Sequence, residues 1–445
     1  RAKDLAGQLE VYYLANREKN LYFALVGDFK DAGSETQEAD ESIINEALEE
    51  IKKLNDKYSA DGRDIFYYMH RKRTYHKSQD RWMGWERKRG AIVEFNRLLR
   101  GSPDTGFTTV SGDVSVLPQI KYVITIDADT NLPMGTAKRL IGTMAHPLNR
   151  AVVNETTGIV AEGYGLLQPR ISIGIPGANR SLFTRIFAGQ GGIDPYTTAV
   201  SDIYQDIFDE GIFTGKGIYD VDIFRRVLED RIPDNAVLSH DLLEGCHMRA
   251  GLVSDIELVD GYPARYNSWS ARQHRWVRGD WQLLPWLAGR VRDREGKIIE
   301  NRLSGLSKWK IFDNIRRSLL YPSLLLLFLA GLAFLPGNPL VWMGFAVFVA
   351  VSPLTTGILN TLIAGSVRFK PGKTNSTSMT GMKAALLQSL LLFTFLPHQA
   401  YLMFDAIIRT LFRLFFSHKK MLEWVTAADV EAAAKNDPGS FYKNM

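Results

Sequence analysis

At 445 residues the chain is long enough for two or three domains, and its single cysteine, Cys246, excludes an internal disulfide. Its eight histidines are scattered without zinc-ligand spacing. The net charge of +5 comes without a helix-turn-helix, RNA-binding or zinc-finger pattern, so no nucleic-acid partner is expected.

In chain order, Leu9–Leu14 predicts a first strand and Leu21–Val26 a second, ending at Gly27-Asp28. Glu35–Tyr58 has apolar and charged residues at helical spacing and predicts an amphipathic helix. Ile65–Met69 predicts a third strand and Lys88–Arg100 a helix. The β-branched run Ile120–Ile126 predicts a buried strand that ends at Asp127-Ala128-Asp129, with a helix beginning behind it over Asn131–Thr136. This alternation predicts an α/β fold with a mostly parallel sheet, in which ligands bind at the C-terminal ends of strands. Asp28 and the acidic triplet both fall at such ends.

Composition changes just after Arg317. Leu319–Leu335, Leu340–Ala364 and Ala384–Phe404 are three apolar candidates for membrane spans, with Pro322, Pro353 and Pro397 inside them. Basic residues flank them: Arg316 and Arg317 before, then Arg368, Lys370, Lys373 and Lys383. The positive-inside rule puts both flanks in the cytoplasm, so the first two spans form a hairpin. In Asp405–Phe416, Arg409 and Arg413 stand four apart among apolar residues, which suggests a helix lying at the interface; a membrane helix cut short is the competing reading. The start at Arg1 rather than Met, with no signal peptide, is expected of a piece of a longer protein.

Two carboxylates on a turn after a strand can grip a divalent metal that holds a diphosphate, although an exposed acidic turn is common. Four further segments bear on this. Trp85–Ala91 puts positive charge and a glycine at a helix start, which suits an anion or a plain basic turn. Phe213-Thr-Gly-Lys-Gly217 places Lys216 between glycines, but the spacing is not that of a Walker loop. In Leu238-Ser-His-Asp-Leu-Leu-Glu-Gly245, Asp241 is a candidate base or a helix cap. Arg272-Gln-His-Arg-Trp276 offers guanidinium forks for phosphate and an indole for a sugar face, or a basic-aromatic segment near the membrane.

The order Asp28, Asp127/Asp129, Asp241, Arg275-Trp276, then membrane helices, resembles the processive, membrane-bound, inverting glycosyltransferases of GT-A fold that include cellulose and hyaluronan synthases. The chain departs from their Gln-x-x-Arg-Trp pattern at Arg272, with Gln273 beside it. Longer motifs are more specific. Leu9–Asn16, Phe23–Asp28, Trp82–Gly90, Phe213–Asp222 and Ser239–Gly245 look like the transferase domain of cyclic β-1,2-glucan synthases, glycosyltransferase family 84, and the likeness covers nearly the whole chain.

That resemblance implies a GT-A domain over 1–305, transmembrane and interfacial helices over 306–417 and a cytoplasmic or linker segment over 418–445. It implies UDP-glucose as donor, a growing β-glucan as acceptor and Mg²⁺ or Mn²⁺ as cofactor. Asp28 would contact the uracil end, Asp127 the ribose or diphosphate, and Asp129 the metal, with Asp127 a second ligand. Lys88 and Arg89 would hold phosphate, and Arg275 and Trp276 would flank diphosphate and acceptor. Asp241 would be the base; Gln168, Arg170, Lys216, Gly217, Arg272 and Gln273 are acceptor-side candidates. Tyr196 is a candidate anchor for a protein-linked glucan, with Tyr204 and Tyr219 competing. The family setting is a multi-pass protein of the bacterial inner membrane, its catalytic domain facing the cytoplasm and joined to a phosphorylase-like domain. A β-1,4 or β-1,3 glucan synthase and an inactive transferase-like membrane scaffold are the alternatives.

Overall fold

The computed structural model describes residues 2–59, 62–188, 202–352, 354–355 and 382–424. Its first element is helix α1, Ala2–Ala15, where a strand over Leu9–Leu14 was expected. The Val-Tyr-Tyr run favours strands, but Ala6, Leu9 and Tyr12 recur every three residues and are all buried. A helix puts them on one stripe; a strand would split them between two faces. Helix α1 packs on α2 (Asp40–Tyr58), and both lie against the first sheet, β1 (Phe23–Asp28) and β2 (Phe66–Arg71). A hairpin, β3 (Thr74–His76) and β4 (Arg81–Met83), leads into α3 (Arg87–Leu99), and β5 (Phe107–Val110) completes the first sheet.

The second sheet has the order β11-β9-β10-β6. It starts with β6 (Tyr122–Thr125), followed by α4 (Thr136–Met144) and the hairpin β7 (Val152–Asn154) and β8 (Ile159–Glu162). Strand β9 (Leu166–Ile173) precedes the short helices α5 (Ile175–Ala178), α6 (Leu182–Phe187) and α7 (Ile203–Phe208). Then come β10 (Gly217–Asp220), α8 (Val221–Leu228), α9 (Asp241–Met248) and β11 (Ala250–Asp260). The mixed α/β class is as expected, but the sheets are not mostly parallel. Parallel pairs are β1 with β2 and β9 with β11, whereas β10 runs antiparallel to both its neighbours and β5 antiparallel to β2. Alternation of strand and helix patterns identifies the elements; it does not set the direction in which each strand enters.

Helix α10 (Tyr266–Gln282) leaves the sheet layer, and the hairpin β12 (Arg290–Arg292) and β13 (Ile298–Glu300) follows it. The apolar part comprises α11 (Gly305–Ser318), α12 (Leu320–Ala333), α13 (Pro339–Ala350) and α14 (Met382–Phe412). Among the described residues one helix, counted over Ala385–Ser417, is long and apolar enough to cross a membrane. The pair α11 and α12, bent by 44°, would add at most one more. With 14 residues, α12 alone reaches about 21 Å, short of the ~30 Å hydrocarbon layer. The second expected span is described only to its first part, in α13; Arg368, Lys370 and Lys373 lie outside the described residues. No separate interfacial helix forms over Asp405–Phe416. Those residues continue α14 and end in one π-helical turn, Arg413–Ser417. Asp405 is taken up by Arg409 and by His274 of α10 at 2.8 Å, so this polar face is docked on protein.

Candidate active site

The register of β10 against β6 builds the centre of the site. Gly217 pairs with Thr125, so the residues just before β10 run alongside the turn just after β6. Asp127 on that turn receives Lys88 Nζ at 2.5 Å on Oδ1 and faces Lys216 Nζ at 3.3 Å on Oδ2. Burial works to raise the Asp127 carboxyl, but Lys88 and Lys216 prevail and hold it down at about 2. Lys216 is itself buried and ion-paired to Asp260, the last residue of β11, whose other oxygen accepts from Thr130 at 2.6 Å. Asp129 stands exposed on the same turn.

Lys88 also donates to the carbonyl of Gly215 at 2.9 Å, which ties the triplet to the second half of the site. Gly215 has φ +85, and a Cβ there would lie 2.6 Å from Asp241 Oδ1. Only glycine lets the loop pass this close to the carboxylate. Asp241 opens α9, and its Oδ1 is buried with no hydrogen-bond partner. Burial raises its pKa; His240 and Lys88 pull it down, and Glu244 and Asp127 push it up. An unpaired buried carboxylate oxygen is costly in a folded protein, and such groups concentrate at functional sites. His240 is buried and hydrogen-bonded through Nδ1 to buried Glu244 at 2.8 Å, and Nδ1 lies 3.5 Å from Asp241 Oδ1. The donor atoms of His240, Asp241 and Glu244 lie within 4.8 Å of one another, a spacing a metal could use, but the His–Glu hydrogen bond already engages two of them.

Helix α10 forms the third side. Burial, Arg272 and Arg278 bring Arg275 down to about 10, while the charges of Asp127 and Asp129 act in the opposite sense, so Arg275 stays a cation. Arg272 lies over the Trp276 ring at 5.0 Å, and Gln273 is half-buried beside them. The helix is fixed at both ends. A Cβ on Gly279 would lie 2.0 Å from Ser239 Oγ, and Gln282 accepts from Leu238 N at 2.7 Å, so α10 abuts the segment that leads into His240 and Asp241. Toward α14, Gln399 donates to Tyr266 at 2.6 Å and Phe395 stacks on the Tyr266 ring.

Beyond α14 the chain returns to this site. Arg87 donates to the Leu422 carbonyl at 2.6 Å and Arg278 to that of Glu423 at 2.5 Å. Met421 and Leu422 are buried, and the Arg275 guanidinium sits over the Trp424 ring at 4.6 Å. The expected cytoplasmic or linker segment thus begins, over 418–424, as a docked wall of the site. Residues 425–445 lie outside the described residues.

Other expected residues take supporting places. Asp28 is held by both ends of the buried Arg71 guanidinium, at 2.7 and 2.5 Å, and Arg71 also binds Glu94 at 2.7 Å. Arg89 points away from the triplet: it is buried, binds Glu86 at 2.7 Å and lies against the Ile232 carbonyl. Gln168 is buried and accepts from Thr214 N at 2.8 Å, so it supports the Phe213–Gly217 loop from behind. Arg170 pairs across the β9–β11 ladder with Glu257 at 2.5 Å. Gly217 is a packing glycine, since a Cβ there would lie 2.1 Å from the Leu167 carbonyl. Tyr196 lies outside the described residues; its competitors are Tyr204, which is buried, and Tyr219, buried with its hydroxyl on Asn96. Asp260 and Trp424 have no sequence signal of their own, and His240 is marked only by its place beside Asp241 in Leu238–Gly245.

No family model matches the chain. Its likeness is to the glucan synthases: it is 44% identical over 451 residues to the cyclic beta-(1,2)-glucan synthase NdvB of Rhizobium meliloti (strain 1021), a match that takes in 99% of this chain. Identity of that extent makes the chain homologous to one part of that synthase. It spans 15% of the length of that relative.

Proposed function

We propose that this domain is a membrane-bound inverting glucosyltransferase that moves glucose from UDP-glucose onto a growing β-1,2-glucan. The observation that carries the reading is the convergence of Asp241, with its unpaired buried oxygen, and the Lys88–Asp127–Lys216 cluster on the two sides of Gly215. Asp241 takes the proton of the acceptor hydroxyl while that oxygen forms its bond to the anomeric carbon and the bond to the UDP oxygen breaks. One displacement inverts an α-linked donor to a β-linked product, so one base suffices. Lys88, Lys216 and Arg275 bring three cations to the side where a diphosphate would lie, and Trp276 and Trp424 supply flat faces for a sugar.

The donor set suits a hard divalent ion. Asp129 is an exposed carboxylate, while Asp127 already shares both oxygens with lysines, so Asp129 would be the first ligand of Mg²⁺ or Mn²⁺ and Asp127 a second. Such an ion offsets charge on the departing diphosphate. The Asp28–Arg71 pair is the proposed edge for the uracil end. The bilayer is the proposed setting for α14, in a bacterial inner membrane and with the catalytic face in the cytoplasm; a phosphorylase-like domain is proposed in the longer protein.

UDP release from UDP-glucose, measured with and without EDTA, tests the reading. Turnover that EDTA abolishes is expected. No turnover in either condition refutes the enzyme, and turnover that ignores EDTA removes the metal. Asp241→Asn is expected to lower transfer by at least about a hundredfold while UDP still binds. Product linkage by NMR separates β-1,2 from β-1,3 and β-1,4 glucan.

A further inference from the structure

The His240–Glu244 pair sits beside the proposed base and no step above uses it. We infer that His240 is a positioning residue whose imidazolium, anchored by Glu244, keeps Asp241 ionised and ready to accept a proton. This rests on Asp241 being the base. The geometry has three parts. His240 and Glu244 are 4% and 2% exposed, so their charges are shielded from water. His240 Nδ1 gives its hydrogen bond to Glu244 at 2.8 Å, which fixes the ring. At 3.5 Å from Asp241 Oδ1 the same nitrogen is too far for a good hydrogen bond, yet close enough to act through charge.

A buried carboxylate needs such help. Asp241 has two anions near it, Glu244 on its own helix and Asp127 on the turn after β6, and both oppose its ionisation. Lys88 of α3 faces it too, but shares its charge with Asp127. At this point α10 presents the uncharged Gly279 and Gln282. Burial alone would deprotonate His240, but Glu244 first and Asp241 second outweigh it, with Lys88 opposing them, and its pKa is raised. A pair of Glu244 and neutral His240 would leave Asp241 with one repelling neighbour and no attracting one on its own helix.

The test uses the full-length protein. His240→Asn keeps an N–H near the Nδ1 position and removes the charge; His240→Gln, equally uncharged, stands in for it if the first variant does not fold. The pH profile of glucose transfer and the affinity for UDP are measured beside Asp241→Asn. The inference expects the acid limb to move to higher pH, kcat near pH 7 to fall by roughly tenfold, and UDP affinity to hold. A folded variant whose profile superimposes on the parent's overturns it, even if kcat is lower throughout. If Asp241→Asn still transfers glucose, the base itself is misassigned and both readings fall together; if Asp241→Asn is dead and the His240 profile is unmoved, only this one falls.

Discussion

Lys216 answers two carboxylates at once, and that sets what its loss does. Lys216→Met would leave Asp260 charged and buried with only Thr130 for company. Removing one partner of a buried pair costs about 3–5 kcal/mol, so a lower melting temperature is expected, together with weaker UDP-glucose binding. Acid should separate the two halves of the site. Asp127 stays ionised down to about 2, whereas burial raises Asp241. As pH falls, Asp241 takes its proton first, so transfer fails while UDP still binds; binding and turnover titrated on one sample check this, and coincident loss refutes it. Of these residues, Lys216 stood out in the sequence as a lysine between glycines. Its partner did not: Asp260 closes an apolar strand 44 positions away, and only the β9–β11 ladder brings it in. Arg89 shows the reverse, since its place beside Lys88 gave no sign that the helix aims it back at Glu86 on its N-cap.

Among the elements, α10 is the one seated directly against the segment that leads into Asp241. Gly279→Ala forces a methyl group against Ser239, where overpacking costs about 1–3 kcal/mol. The expected result is a lower melting temperature and a larger proportional loss of transfer, because the displaced neighbour leads directly to His240 and Asp241. Thermal melts and transfer rates on the same preparation check it; a stable, fully active variant refutes it. Strand and helix patterns were legible for β1, α2, β2, α3 and β6, where long runs keep one period. They failed at α1, whose aromatic residues resemble a strand until the burial of Ala6, Leu9 and Tyr12 is known. The antiparallel entry of β10, on which the meeting of Lys216 with Asp127 depends, has no local signature at all.

For the whole molecule, the layer around α9 carries an acid-sensitive fault. His247 is buried against the Leu243 carbonyl, and burial lowers its pKa to about 4. An unfolded histidine titrates near 6.5, so between about 6.5 and 4 the unfolded chain binds the proton and the folded one does not. Stability therefore falls as pH drops through that window, by about 3 kcal/mol at most. His247→Gln should flatten this part of the melting curve against pH; an unchanged slope refutes it. Helix α10 is joined to the apolar helix α14 through Tyr266 with Gln399 and His274 with Asp405. The segment after α14 adds an order in time. A ribosome makes Asp28, Asp127, Asp241 and Arg275 first, then the stretch that carries α11 to α14, and only then Met421–Trp424. A nascent chain can hold every acid and cation of the site and still lack the wall over Arg275. Completion of the site waits until α14 has found its place.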